Sequence, residues 1–165
     1  MRPSGQWRPG GGRPTPVTGT VIHLSAPSEE HVPNVVLERA IRLTLRAEGH
    51  TSAEVSVAFL DDEEAARMNR EHLGHDWVPD VLSFPLHEPG EAPNADLYVG
   101  LEQARRQARD EGVSEEEELV RLVVHGLLHV LGWDHPEDPE ARAASPHYRR
   151  QEELVTRILA EGAIS

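Results

Sequence analysis

Three histidines near the end of the chain have a spacing that suits a metal ion. His125, His129 and His135 occur in the segment HGLLHVLGWDH. On an α-helix, two residues four positions apart are rotated by about 40° and separated by about 6 Å along the axis, so the first two imidazoles project from one face. Gly132 can adopt a left-handed conformation that ends the helix, and the turn that follows can bring His135 back. The pattern predicts that the three imidazoles bind one metal ion.

The expected metal is zinc, with one Zn²⁺ per chain. Three neutral imidazoles and one water form the open four-coordinate arrangement of catalytic zinc, whereas structural zinc is closed by four protein ligands. The chain has no cysteine, so its metal ligands must be nitrogen and oxygen atoms. Histidine nitrogen also binds nickel and other divalent ions, and the spacing alone does not choose among them. An open site of this kind indicates a hydrolase.

The residue after the first histidine separates two classes of hydrolase. Zinc peptidases of the H-E-x-x-H type carry a glutamate there, which takes the proton from the zinc-bound water. This chain has Gly126 at that position, which disfavours peptide hydrolysis. An RNA phosphodiester has a better leaving group and its own 2'-hydroxyl nucleophile, so RNA cleavage remains chemically plausible without a strong neighbouring base.

The chain is acidic overall, with a formal net charge of −13 over 165 residues. A negative surface opposes phosphate binding, yet acidic residues and arginines cluster separately along the chain, and a divalent cation adds positive charge at the site. The composition predicts a disordered Gly/Pro/Arg-rich tail over residues 1–19 and a single folded domain over residues 20–165. No segment has the apolar length of a signal peptide or membrane span, so we expect a cytoplasmic protein.

Hydrophobic periodicity predicts an α+β fold. Strands are expected at 21–24, 54–60, 80–85 and 96–100, and helices at 33–48, 61–71, 102–110, 115–131 and 147–161. Ser114 and Glu117 have the spacing of a capping box at the start of the fourth helix, which is apolar around most of its circumference. We therefore expect a small mixed β-sheet of about four strands, with a short meander, packed with helices. We expect the zinc-binding histidines to lie on and just after a central buried helix.

Four segments of the chain match, in order, the motifs of one known family. The run from His125 to His135 reproduces H-G-x-L-H-L-x-G-[YW]-D-H, with Val130 in place of one leucine. A second segment resembles the pattern L-N-x-x-[FY]-[RL]-x-x-D-x-x-T-D-V-L-S-F-P, through Met68-Asn69, His75-Asp76 and the run from Asp80 to Pro85. A third, from Ala95 to Val99, resembles the strand pattern G-D-I-x-I. The fourth, Gln151-Glu152-Glu153, resembles the start of the family's last helix. From about residue 21 onward the chain resembles the YbeY endoribonucleases, also called rRNA maturation factors.

The resemblance implies a zinc-dependent, single-strand-specific endoribonuclease of the cytoplasm. It implies roles in 16S rRNA 3'-end maturation and ribosome quality control, with single-stranded RNA, ribosomal RNA and the small ribosomal subunit as partners, and no membrane or organic cofactor. The metal ligands carry over to His125, His129 and His135. Two departures concern the rest of the site. Leu73 stands where many members carry an arginine, and Pro79 stands where threonine is usual, so no catalytic arginine is assigned.

Further candidates for the cleft come from the matching segments: Asp80, Ser83, Asp96, Asp134 and His75. Asp80 is equally well explained as a cap at the start of a strand, and Ser83 as an ordinary strand residue. Asp134 is either an acceptor for a ligand N–H or a turn-stabilising aspartate. Trp133 is more readily explained as a buried anchor than as a stacking platform for a base.

Two other classes of function stay open on the sequence. One is a ribosome-associated assembly factor of the small subunit, in which zinc is structural. The other is a zinc hydrolase of another substrate, such as an amidohydrolase or peptidase. Gly126 disfavours this second class unless a carboxylate such as Asp96 or Asp134 lies within reach of the zinc-bound water.

Overall fold

The computed structural model describes residues 19–75 and 79–164. The predicted tail therefore lies outside the described residues, except for Gly19. The elements in chain order are β1 (Thr20–Ser25), α1 (Asn34–Ala47), β2 (Ala53–Leu60), α2 (Asp62–Leu73), β3 (Val81–Pro85), β4 (Asn94–Gly100), α3 (Leu101–Glu111), α4 (Glu115–Val130), α5 (Pro139–Ala143) and α6 (Pro146–Ile164).

The sheet has four strands in the order β1-β2-β4-β3. Strands β1, β2 and β4 run parallel to one another, and β3 runs antiparallel to β4. The mixed α+β sheet is thus confirmed, whereas the expected meander is wrong, because β2 pairs with β4 and not with β3. After β2 the chain enters α2, and this crossover leaves the position beside β2 open for β4. Among the strands of the described ranges, β3 and β4 alone form a hairpin-like pair.

The helix that carries the histidines is the centre of the core. Ten of the 16 residues of α4 are buried, and they extend around most of its circumference. Around this helix pack α1, α3 and α6, together with strands β3 and β4. The expectation of a central buried helix is therefore confirmed. No helix in the described ranges combines the length and apolar composition needed to cross a bilayer.

The helix caps differ in part from expectation. Ser114 accepts a hydrogen bond from the Glu117 main-chain nitrogen at 3.0 Å, as a cap should. The Glu117 side chain does not complete the box, because it pairs with Arg121 at 3.0 Å. The full capping box forms instead at α2, between Asp61 and Glu64. The short helix α5 was not predicted, because none of its residues is buried and it has no apolar periodicity.

Gly126 marks the place where α4 comes closest to the sheet. A Cβ atom built there would lie 2.8 Å from Ser83 Oγ, 3.1 Å from Val81 Cγ2 and 3.4 Å from Leu97 Cδ2. The first two distances are shorter than ordinary contacts, so the glycine permits the packing of α4 on β3. The space that a glutamate side chain would need is thus occupied by the sheet.

We expect Gly126→Ala to destabilise the fold. Overpacking destabilises a core by about 1–3 kcal/mol, whereas the higher helix propensity of alanine stabilises the helix by about 1 kcal/mol. The free energy of unfolding should therefore fall by up to about 2 kcal/mol. Urea denaturation followed by circular dichroism measures this change. Ser83→Ala is the control, and the double variant should recover part of the loss because it removes the shortest contact. A Gly126→Ala protein more stable than the wild type would contradict the close approach, because alanine would then add helix propensity without a steric cost.

Candidate metal centre

The end of α4 and the turn after it bring the three predicted histidines to one cleft. Gly132 has a φ of +104°, in the left-handed region, and its nitrogen bonds the main-chain oxygen of His129 at 3.1 Å. The chain then reverses, so that the His135 ring centroid lies 4.9 Å from that of His125 and 6.2 Å from that of His129. All three histidines line a cleft of about 690 Å³ between α4, β3 and α6.

Each of these histidines presents its Nδ1 atom to an oxygen acceptor. Nδ1 of His125 lies 2.7 Å from Gln151 Oε1, Nδ1 of His129 lies 3.2 Å from the Trp133 main-chain oxygen, and Nδ1 of His135 lies 3.0 Å from the Pro136 main-chain oxygen. Because an oxygen acceptor requires a proton on Nδ1, the neutral ring keeps an unprotonated Nε2. That tautomer is the one in which imidazole binds a metal through Nε2.

The orientation of Gln151 is itself determined by its neighbours. Its amide nitrogen donates to Glu152 Oε2 at 2.9 Å, so its amide oxygen must be the atom that faces His125. Glu152 is in turn held by Arg121, at 2.9 Å through Nε and 3.0 Å through Nη2. A chain of hydrogen bonds therefore runs from Arg121 through Glu152 and Gln151 to the ring of His125.

Two of the three Nε2 atoms stand at the separation of metal ligands. The Nε2 atoms of His125 and His135 are 3.2 Å apart. Two ligands of a tetrahedral zinc with bonds of about 2.0–2.1 Å are separated by about 3.3–3.4 Å. With both Nδ1 atoms protonated, the two Nε2 lone pairs face each other, and a cation between them would relieve their repulsion.

His129 is the outer member of the group. Its ring centroid lies 6.2 Å from that of His135, against 4.9 Å between His125 and His135, and its side chain is exposed. Across residues 19–75 and 79–164, no three His, Asp or Glu side chains stand close enough together to hold a metal ion in the positions that they occupy here. The donor set fits a divalent cation in chemistry and tautomer, with two nitrogens at ligand spacing and the third beside them.

A fourth histidine, which the sequence analysis missed, packs against this group. His147 is fully buried and stacks on the His125 ring, with centroids 4.6 Å apart and an angle of 17° between the planes. Its Nε2 donates to the main-chain oxygen of His125 at 3.3 Å, and its Nδ1 is buried without a hydrogen-bond partner in the described part of the chain. Burial, and then the neighbouring His125, lower the pKa of His147 to about 4. The only signal in the sequence was its position four residues before Gln151, on the same face of α6.

Asp80 and Ser83 line the cleft, as the sequence suggested. The carboxylate of Asp80 accepts from the Val81 main-chain nitrogen at 2.7 Å and from Gln107 Nε2 at 3.3 Å. The first bond is the strand-entry cap that was one of the two interpretations. Ser83 is half-buried and faces Gly126 on the α4 side of the sheet. Both are within the cleft, and neither contacts a histidine ring by a hydrogen bond in the described residues.

The structure does not bring Asp96 to the cleft. It pairs with Phe84 and Ser56 across the sheet and alternates with buried Ala95 and Leu97, so it lies on the face away from α4. Burial, followed by the charge of Glu54, raises the pKa of Asp96. The period-two pattern of the strand was the signal that could have placed it. His75 follows α2 and is likewise not among the described residues that line the cleft.

Asp134 and Trp133 have separate roles in the turn after α4. Asp134 Oδ1 lies 3.6 Å from His129 Nδ1, and its side chain is 88% exposed. This separation is too long for a hydrogen bond, so the Trp133 carbonyl is the acceptor for that ring. The Trp133 indole is packed against the core, and its Nε1 donates to Glu48 Oε1 at 2.7 Å. The tryptophan therefore anchors the turn.

A solved structure has the same fold. The solution structure of TM1509 from Thermotoga maritima superimposes with a TM-score of 0.62 at 24% sequence identity, and the match covers 87% of this chain and 92% of that one. At this identity, the likeness shows a shared fold.

The sequence comparisons identify the family. The family model described as Endoribonuclease YbeY matches residues 25–158. The Endoribonuclease YbeY of Geobacillus thermodenitrificans is 39% identical over 134 residues, covering 74% of this chain and 84% of that protein. That of Halalkalibacterium halodurans is 38% identical over 133 residues, covering 73% and 80%. The chain belongs to the YbeY family of endoribonucleases, enzymes that hydrolyse RNA.

We expect Gln151→Leu to weaken zinc binding about 10- to 100-fold, because His125 loses the acceptor that holds its tautomer and ring orientation. A competition titration against a chromophoric chelator measures the affinity. Glu153→Gln, on an exposed position of the same helix, is the matched control and should bind zinc like the wild type. Circular dichroism verifies that both variants are folded. Unchanged zinc affinity in a folded Gln151→Leu protein would contradict the role of this hydrogen bond.

Proposed function

We propose that the protein is a zinc-dependent endoribonuclease of the cytoplasm that cuts single-stranded RNA. Its proposed roles are 16S rRNA 3'-end maturation and ribosome quality control on the small ribosomal subunit. The observation that carries the proposal is the set of three histidines whose Nδ1 atoms all face oxygen acceptors, which leaves three unprotonated Nε2 atoms for a metal at one cleft. Membership of the YbeY family supports RNA as the substrate.

His125, His129 and His135 would hold the zinc ion. When bound, zinc stabilises negative charge that develops on a phosphate oxygen, a contribution of several kcal/mol, and makes its bound water more acidic. The chain's own residues supply orientation. Gln151 and the carbonyls of Trp133 and Pro136 hold the three rings with Nε2 available.

The packing at Gly126 supports RNA over a peptide as substrate. Because the sheet occupies the space beside Gly126, no carboxylate can stand there to take a proton from water and pass it to a leaving amine. RNA supplies a nucleophile in its 2'-hydroxyl, and an alkoxide leaves more readily than an amine. Asp96 lies on the opposite face of the sheet and does not replace the missing base.

One observation favours a second candidate function, a small-subunit assembly factor with a structural zinc. The Nδ1 atom of fully buried His147 has no described hydrogen-bond partner, and its ring centroid lies 4.6 Å from that of His125 and 5.0 Å from that of His135. A fourth protein nitrogen would close the metal site, as in structural zinc. This alternative predicts a zinc-replete protein that binds small subunits and leaves single-stranded RNA intact.

The test of the proposed function combines metal content with RNA cleavage. We expect the purified protein to hold about one zinc per chain, as a three-histidine site requires, and to cut a single-stranded RNA. His129→Ala should lose both the zinc and the cleavage, because it removes one of the three ligands. His31→Ala, an exposed histidine outside the cleft, is the matched control and should keep both. Parallel purification of the variants controls for contaminating ribonuclease. Stoichiometric zinc in His129→Ala would contradict the ligand assignment, and equal cleavage by that variant would contradict the nuclease assignment.

A further inference from the structure

The cleft has a leucine where the family resemblance leads one to expect an arginine. Leu73 lines the cleft and is 51% exposed. Because the protein as a whole is strongly acidic, a cationic side chain in the cleft would favour the binding of an RNA phosphate there. Two arginines line the cleft among the described residues, Arg121 and Arg142. Their surroundings differ.

Arg121 uses four of its five N–H donors on carboxylates. It contacts Glu152 at 2.9 Å, Glu117 at 3.0 Å and Glu118 at 3.3 Å. Three carboxylates around one guanidinium leave a negative balance and no free edge for a phosphate. Arg121 therefore serves the hydrogen-bond chain to His125 and is not available to the substrate.

Arg142 is held by main-chain oxygens instead. Its Nε donates to the Pro136 oxygen and its Nη2 to the Glu137 oxygen, both at 3.3 Å. Within residues 19–75 and 79–164 it has no ion-pair partner, although the Glu137 side chain also lines the cleft. A guanidinium has five N–H donors, so two of them are used and three remain. The edge formed by Nη1 and Nη2 keeps one donor on each nitrogen for a bidentate acceptor.

The position of Arg142 is tied to that of a predicted metal ligand. The Pro136 oxygen accepts a hydrogen bond from Arg142 Nε at 3.3 Å and another from His135 Nδ1 at 3.0 Å. One carbonyl thus orients both side chains. The helix that carries Arg142 is itself fixed by Asp138, which caps it at 3.0 Å.

We propose that Arg142 binds a phosphate of the RNA substrate beside the three histidines, through the free Nη1–Nη2 edge of its guanidinium. The bidentate fork matches two non-bridging phosphate oxygens, whereas lysine would offer only a point charge. This assignment rests on the proposed function, since it makes RNA the ligand of the cleft. Arg142 on α5 would thus make a phosphate contact that the apolar side chain of Leu73, on α2, cannot make.

The test compares Arg142→Gln and Arg142→Lys with Arg149→Gln. Arg149 is a matched control, because it is also exposed, bonds a main-chain oxygen through Nη1 at 2.7 Å, and lies outside the cleft. Binding is measured by fluorescence anisotropy with a short labelled single-stranded RNA that carries 2'-O-methyl groups and resists cleavage. Cleavage of the corresponding unmodified RNA is measured in parallel, and zinc content is measured for every variant.

We expect Arg142→Gln to weaken RNA binding about 10- to 100-fold, the range for lost hydrogen bonds to a charged group. The slope of log K against log salt should fall by about 0.7, the value for one phosphate contact on a single strand. Arg142→Lys should keep the salt slope and lose part of the affinity, because the charge remains and the fork does not. Zinc content should stay at the wild-type level in both variants, and Arg149→Gln should behave like the wild type.

Two results would overturn the assignment. Arg142→Gln binding and cutting RNA as well as Arg149→Gln would show that the guanidinium does not contact the phosphate. Equal losses in the Lys and Gln variants, accompanied by lost zinc, would assign Arg142 to holding the turn at Pro136. Both results are separable from failure of the proposed function, because the binding measurement does not need cleavage: a wild type that binds the methylated RNA without cutting RNA contradicts the nuclease alone.

Discussion

The burial of α4 is the constraint on which the rest of the structure depends. Its apolar side chains extend around most of the helix, so the sheet must cover one side and α1, α3 and α6 the others. At Gly126 the helix and β3 are so close that a single Cβ atom would collide with Ser83. This close packing determines where the last turns of α4 emerge, and with them the places of His125 and His129. It also excludes a carboxylate from the position where a peptidase would need one.

The second determinant of the site is the orientation of the imidazole rings. Oxygen atoms of Gln151, Trp133 and Pro136 accept from the three Nδ1 atoms. Arg121 holds Glu152, which in turn accepts from the Gln151 amide and fixes its orientation. Buried ion clusters give little net stability, because the loss of hydration offsets most of the Coulomb attraction. Burial indeed raises the pKa of Glu118 despite the opposing charge of Arg121. The consequence of this cluster is therefore the orientation of Gln151, and through it the tautomer of His125.

The sequence predicted the parts of the fold that depend on local pattern. The alternation of β2, the apolar surface of α4 and the left-handed Gly132 are all properties of neighbouring residues, and each is found in the structure. Contacts between segments that are distant in the chain leave no such local pattern in the sequence. The stacking of His147 on His125 joins α6 to α4, and the free edge of Arg142 depends on carbonyls in an irregular turn. Asp96 was misplaced for a different reason: its motif was given more weight than the period of its own strand.

The central claim is that three histidines hold an open metal site. X-ray absorption spectroscopy at the zinc edge measures the coordination sphere of the zinc-loaded protein directly. The account predicts three imidazole nitrogens at about 2.0–2.1 Å and one oxygen ligand that exchanges with added anions. A sphere of four imidazole nitrogens, with His147 as the fourth, would contradict it and make the zinc structural.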